Sequence, residues 1–344
     1  MKSHAAHGRV VTAVVLLVAS AVQLAAQELP SGTVIVSNMD GSDAWLVDLP
    51  SGDRRSVVPA RSAPHEVAVT SDDATVVVTN YGGPGVGNLL QFIDVRSGEL
   101  TREITVEGRE RLHGAAFLPG DSLLVLTSER TEEVIVVSAA DGAVRRALST
   151  GGGAPHMLAL GGDWVWAANI TGGSVARIDP RGEAETVTWS AGTRTEGVAA
   201  TPDGREGWTG SMDTGTVVGV DGETGRVVAR IEGLGVPYRL AVTPDGSTVV
   251  VSDPERDHLV LIDRRAGAVA GTVDIGAAAR ALGHPTPPSA QGFTLSPDGV
   301  WAFVSTKAID RVAVVHLPTR RVVRFLEAGD GPDGIAFTPV RGHP

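Results

Sequence analysis

The chain has 344 residues, a formal net charge of −11 and no cysteine. The missing thiols exclude a lipoprotein anchor, covalent c-type haem, thiolate metal sites and disulfides, and the length is enough to bury a core without such staples. Acidic charge with no basic cluster argues against nucleic acid or anionic lipid as a partner.

In chain order, the first element is a targeting segment. Lys2 and Arg9 precede the apolar run VVTAVVLLVASA at 10–21, and small residues follow at Ala19, Ala21, Ala25 and Ala26. That is the layout of a secretory signal, and the run is too short to cross a bilayer. The expectation is a signal peptide over 1–26, cleaved after Ala21 or Ala26, and one folded domain over 27–344. The product would be a periplasmic or secreted monomer with no membrane insertion after cleavage. Loss of Lys2 and Arg9 takes the charge from −11 to −13 and leaves Lys307 as the sole lysine.

The rest of the chain is a repeat of about 40 residues, a period that decides the fold before any local reading does. Each unit runs as four short segments. The first unit, for example, reads PHEVAVTSDD, TVVVTN, LLQFIDVRSG and LTREITVEG from Pro64 onward. Further units begin at Leu112, Pro155, Thr195, Pro237 and Ala290. Short β-branched runs bounded by turn residues predict strands, four to a unit. Pro-Asp-Gly at 202–204 and 244–246 predicts tight turns between the first two strands. Asp94, Asp179, Asp221 and Asp263 close third strands ahead of a Gly-containing turn, with His316 in the equivalent place of one unit. No segment beyond the signal sustains a 3.6-residue period, so the fold class is all-β.

After six full units the chain supplies one more first strand, DGIAFTP from Asp333, and stops. Before the first unit it carries the three missing strands, from Thr33, Ala44 and Asp53. Joined, they make a seventh blade, so the predicted architecture is a seven-bladed β-propeller closed by its two termini. Ring closure removes the free sheet edges of an open array.

The motif set P-x-x-apolar-A-apolar-[ST]-P-D-G, V-V-V-T-N and [VI]-D followed by T-G-x-V resembles the YVTN (YncE-like) β-propeller repeat family over residues 32–339. Pro-His-Glu at 64–66, Leu-His-Gly at 112–114 and Pro-His-Met at 155–157 are similar to an exported bacterial subgroup of it. The resemblance implies the fold and an extracytoplasmic location. It carries over no catalytic residue, because propellers host many chemistries.

First strands line the channel of a propeller, so their leading residues ring one mouth: His65, His113, His156, Glu196, Tyr238, Gln291 and Asp333. His65, His113, His156 and Glu196 open four consecutive blades and are the candidate metal ligands. Imidazole with carboxylate suits zinc, copper or iron. Tyr81, Glu129, Arg130, Asn169, Tyr238, Arg239, Gln291 and Asp333 are the candidate ligand-binding residues on the same rim. Two long segments, 82–88 and 276–290, are read as loops there. The competing reading is a polar funnel whose histidines and carboxylates bond only one another, and anion capture by protonated histidine is a third. Trp164, Trp166, Trp208 and Trp301 are expected between blades, Lys307 in solvent. No hydrolase or EF-hand motif is present, no nucleophile is evident, and Gly82 to Gly87 lacks the helix a phosphate loop needs. The reading is a binding scaffold that takes a small molecule or protein at the histidine-bearing mouth. The alternative is a lactonase-like metal-dependent hydrolase or lyase at the same place.

Overall fold

The computed structural model describes residues 29–82, 86–284 and 286–342. The expected signal segment, the middle of the glycine-rich segment 82–88 and Pro285 lie outside these residues. Seven four-stranded antiparallel sheets form the ring. Blade 1 comprises Pro64–Val69, Thr75–Asn80, Leu89–Asp94 and Leu100–Thr105. Blades 2 to 6 follow in register with the repeats. Blade 7 pairs the C-terminal strand Pro332–Thr338 with Gly32–Asn38, then Asp43–Leu49 and Arg54–Pro59. The terminal closure expected from the sequence is therefore present, with Val36 opposite Ile335 and Val34 opposite Phe337.

Second and third strands read as continuous apolar runs because both of their faces are buried. In Thr75–Asn80, Val76 and Val78 pack against blade 7, whereas Val77 packs against blade 2. Seven such inter-blade clusters form the core, so no blade has a core of its own. Trp166 and Trp208 are fully buried and Trp301 nearly so, as expected. Trp164 is only half-buried and carries the Arg177 guanidinium 3.5 Å above its ring. At the perimeter, arginines clasp the next blade's turn carbonyls. Arg55 donates to Val95 O at 2.6 Å, Arg177 to Gly222 O at 2.6 Å, and Arg324 to both Pro50 O and Ser51 O.

The turn residues earn their place by satisfying backbone N–H groups. Asp94 accepts from the Ser97 amide and Asp221 from that of Thr224; His316 does the same for Thr319 through Nδ1, which explains why it can replace an aspartate. One expectation fails. Part of the segment read as a loop over 276–290 is a helix, Ile275–Ala281, N-capped by Asp274. At seven residues it is too short to leave a convincing 3.6-residue period in the sequence.

Candidate functional site at the histidine end of the channel

A local irregularity shared by six first strands builds the site. Pro64 pairs with Asn80 and Val67 with Val78, so three steps on the inner strand match two on its partner. The same bulge recurs at Leu112/Ala115, Pro155/Leu158, Thr195/Val198, Ala290/Phe293 and Pro332/Ile335. An extra residue breaks strand alternation and re-aims side chains, and here it falls on the mouth position each time. Hydroxyls from second strands then fix the bulged backbones. Thr127 Oγ1 donates to His156 O at 2.6 Å, Ser305 Oγ to Asp333 O at 2.8 Å, and Ser37 Oγ to His65 O.

The three histidines stack across blades 1, 2 and 3. His113 has no exposed surface, and its ring centroid lies 4.0 Å from that of His65 and 3.7 Å from that of His156. Tyr81 meets His65 and His113 edge-on, at 5.0 and 5.2 Å. The three imidazoles differ in their partners. His65 Nδ1 lies 3.0 Å from Asp333 Oδ2. His156 is clamped at both nitrogens, Nδ1 by Glu129 Oε1 and Nε2 by Glu196 Oε1 at 2.7 Å. Among the described residues His113 has no hydrogen-bond partner at either nitrogen, and the His65 Nδ1 contact to Asp333 is an ion pair without hydrogen-bond geometry.

Arg239 ties the ring together across the axis. It donates to Glu196 Oε1 on blade 4 at 2.6 Å and to Glu66 Oε1 on blade 1 at 2.8 Å, from blade 5. Its guanidinium lies 4.5 Å over the Tyr238 ring. On the solvent side, Tyr81 donates to Glu129 Oε2 at 2.6 Å, while Arg111 bonds the same phenol and sits 3.3 Å from Glu129.

These contacts set the charge states. Burial disfavours a charged His156, but the Glu196 charge and the bonds to both carboxylates outweigh it and push the imidazole up to about 9. Glu196 resists its own burial because His156 and Arg239 surround it, and is held at about 2. Asp333 is likewise driven well below the carboxylate range against burial, chiefly by His65. For His113, burial dominates and the cationic neighbours add to it, so the ring stays neutral.

The structure thus gathers His65, His113, His156, Glu196, Glu129, Tyr81, Tyr238, Arg239 and Asp333 at one end of the channel. Three other expected rim residues are spent elsewhere. Arg130 points outward to Glu110 at 3.1 Å, Asn169 is buried on Ser174 Oγ at 2.9 Å, and Gln291 bonds Ser289 Oγ at 3.0 Å. Lys307 is not a free solvent charge; it lies 3.7 Å from Asp40. Two members of the site were not singled out from the sequence, Glu66 and Arg111. Glu66 directly follows His65 in the Pro-His-Glu motif, and strict alternation would have turned it away; the bulge turns it in. Arg111 directly precedes the blade 2 strand and had no motif to mark it.

No family model matches the chain, and no curated protein does. Among solved structures, Kuenenia stuttgartiensis hydrazine synthase is similar at a TM-score of 0.70 and 19% identity, over 83% of this chain and 92% of that one. A functionally unknown protein from Desulfotomaculum acetoxidans DSM 771 is similar at a TM-score of 0.68 and 16% identity, over 89% of this chain and 99% of that one. At these identities the likeness is one of fold, the seven-bladed β-propeller.

Proposed function

We propose that the chain is an exported, periplasmic or secreted propeller of the YVTN (YncE-like) kind, acting as a binding scaffold for a small ligand at the histidine end of its channel. The observation that supports this most directly is Arg239. A buried guanidinium reaching from blade 5 to Glu196 and Glu66 costs desolvation that an apolar plug would avoid, since buried ion pairs are weak stabilisers at best. Polar groups converging on one point of a rigid scaffold are a usual element of a ligand site. The burial of Tyr81, His65 and His156 suits a small ligand better than a protein surface.

The lactonase-like alternative needs a group free to take a proton. Glu129, Glu196 and His156 each already hold at least two partners, and the unpaired His113 is fully buried, with no exposed surface to meet a substrate or attacking water. Binding therefore leads.

The test is a thermal-shift screen with divalent cations, inorganic phosphate and short dicarboxylates, run on wild type and on Tyr81→Phe and Arg239→Gln. A ligand at a hundredfold excess over its Kd adds about 2.7 kcal/mol, so at least one probe class should raise the wild-type midpoint and act less on the variants. If no probe shifts the wild type, or the variants shift equally, the channel end is a structural plug.

A further inference from the structure

We propose that the ligand is a transition-metal ion held by His65, Glu66 and His113, a two-histidine, one-carboxylate centre; this rests on the scaffold reading above. His113 is fully buried, yet among the described residues neither ring nitrogen has a hydrogen-bond partner. A buried polar group left unpaired is costly and rare, and each instance calls for a physical reason. A fold needing only volume at this point could place a phenylalanine or leucine there at lower cost. What an unpaired neutral imidazole offers is a lone pair.

The neighbours of His113 divide into two sets of donor atoms, each lying within 4.8 Å of one another: His65, Glu66 and His113 on one side, His113, Glu129 and His156 on the other. The second set is already saturated. His156 is bonded by carboxylates at both nitrogens, and Glu129 is bonded by Tyr81 and His156 with Arg111 alongside. Binding an ion there would break several charge-assisted bonds. The first set keeps its donors available. Glu66 Oε1 is held by Arg239, which leaves its second oxygen, and the nearest His113 nitrogen is 4.0 Å from Oε1. His65 turns Nδ1 to Asp333, which leaves its other ring nitrogen.

That last contact is the outer arrangement metal-binding histidines commonly have, a carboxylate behind the ring that fixes its orientation and basicity. Among the described residues Asp333 Oδ1 has no hydrogen-bond partner, and the nearest imidazole nitrogen to this carboxylate is His65 Nδ1, in ion-pair contact with Oδ2. Bonds of about 2.0–2.2 Å to a common ion place donor atoms roughly 3–3.5 Å apart, so donor atoms at the 4.8 Å limit of the set must close by roughly 1.3–1.8 Å when an ion binds. Two imidazoles and one carboxylate suit zinc, cobalt, copper or ferrous iron, and leave positions free for a further small ligand. Magnesium and calcium want all-oxygen shells.

The experiment uses the untagged chain, stripped with a chelator and titrated with Co²⁺, Zn²⁺ and Cu²⁺. The expected result is one equivalent of ion per chain, cobalt d–d bands of a nitrogen/oxygen shell, and two coupled nitrogens in the Cu²⁺ resonance spectrum. Glu66→Gln should weaken binding at least tenfold, and His113→Phe should abolish it while the protein stays folded. His156→Gln should leave the copper spectrum with the same two nitrogens. Should the wild type fail to take up any of the three ions stoichiometrically, or should Glu66→Gln and His113→Phe bind as tightly as wild type, the metal centre is wrong. Loss of binding in His156→Gln with none in Glu66→Gln also overturns this ligand assignment. A phosphate or dicarboxylate shift that depends on Arg239, with no metal uptake, refutes the metal and keeps the scaffold.

Discussion

Thr79 on blade 1 joins two blades through one oxygen: Oγ1 accepts the amide of Glu66 at 3.0 Å and donates to the carbonyl of His113 on blade 2 at 3.2 Å. The same arrangement recurs one blade on, where Thr127 Oγ1 accepts from Gly114 and donates to His156 O. The threonine of the V-V-V-T-N run is thus the link between the blade core and the positions of the site residues.

Thr79→Val keeps the shape of the side chain and removes the link. A buried backbone carbonyl and amide lose a partner, so the cost should be about 2 kcal/mol. Denaturant titration measures it through the midpoint at unchanged slope. A change below about 0.5 kcal/mol would mean that water replaces the hydroxyl and the link is dispensable.

Phe337 sits on the closing strand, its ring stacked 4.8 Å from that of Phe303 on blade 6 and packed with Val34 and Val36. Phe337→Ala should cost about 3–4 kcal/mol. Because the seam closes the ring, the loss should appear in one cooperative transition, and deletion of 332–344 should destabilise every blade. Hydrogen exchange confined to blade 7 in the truncated chain would count against closure as the organising constraint.

Gly334 follows the mouth residue Asp333, and a Cβ there would overlap the His65 carbonyl. That carbonyl belongs to the next inner strand and cannot swing away as a side-chain tip could. Gly334→Ala should destabilise by about 3 kcal/mol. Gly233→Ala offers the contrast, since its positive φ is strained but its Cβ meets nothing; it should cost about 1 kcal/mol. Equal costs for the two would remove the close-approach explanation.

Stability of the metal-free chain should fall on both sides of a plateau. Glu196 is held at about 2, below its unfolded value, so its contribution is present above about pH 4.5 and is lost as pH falls toward 2. His156 is raised to about 9, so its contribution is full below about pH 6.5 and is lost as pH rises through 9. With chelator present, the midpoint should drop by a few degrees at each end, at roughly 2–4 °C per kcal/mol. Glu196→Gln should flatten the acid limb and His156→Gln the alkaline one. Unchanged limbs in both variants would place the titration elsewhere.

The sequence by itself determined the ring. A forty-residue period, four β-branched runs per unit and partial units of complementary length at the two ends permit one closed arrangement. The inner-strand mouth positions were legible for the same reason, since His65, His113, His156, Glu196 and Asp333 occupy one place in the repeat. Tertiary structure decided what those residues do to one another. Glu66 became a site residue through a backbone bulge, which no side-chain pattern announces. Arg239 was legible only as a rim residue; its bond to Glu196 reaches the neighbouring blade, and its bond to Glu66 joins blade 5 to blade 1, far apart in the chain. Asn169 and Arg130 followed the pattern into rim positions and were turned away by nearby partners. Periodicity reports which strand a residue occupies and how deep it lies. Which neighbour a polar atom meets depends on distances of an ångström or two between segments the repeat treats as equivalent, and only packing sets those.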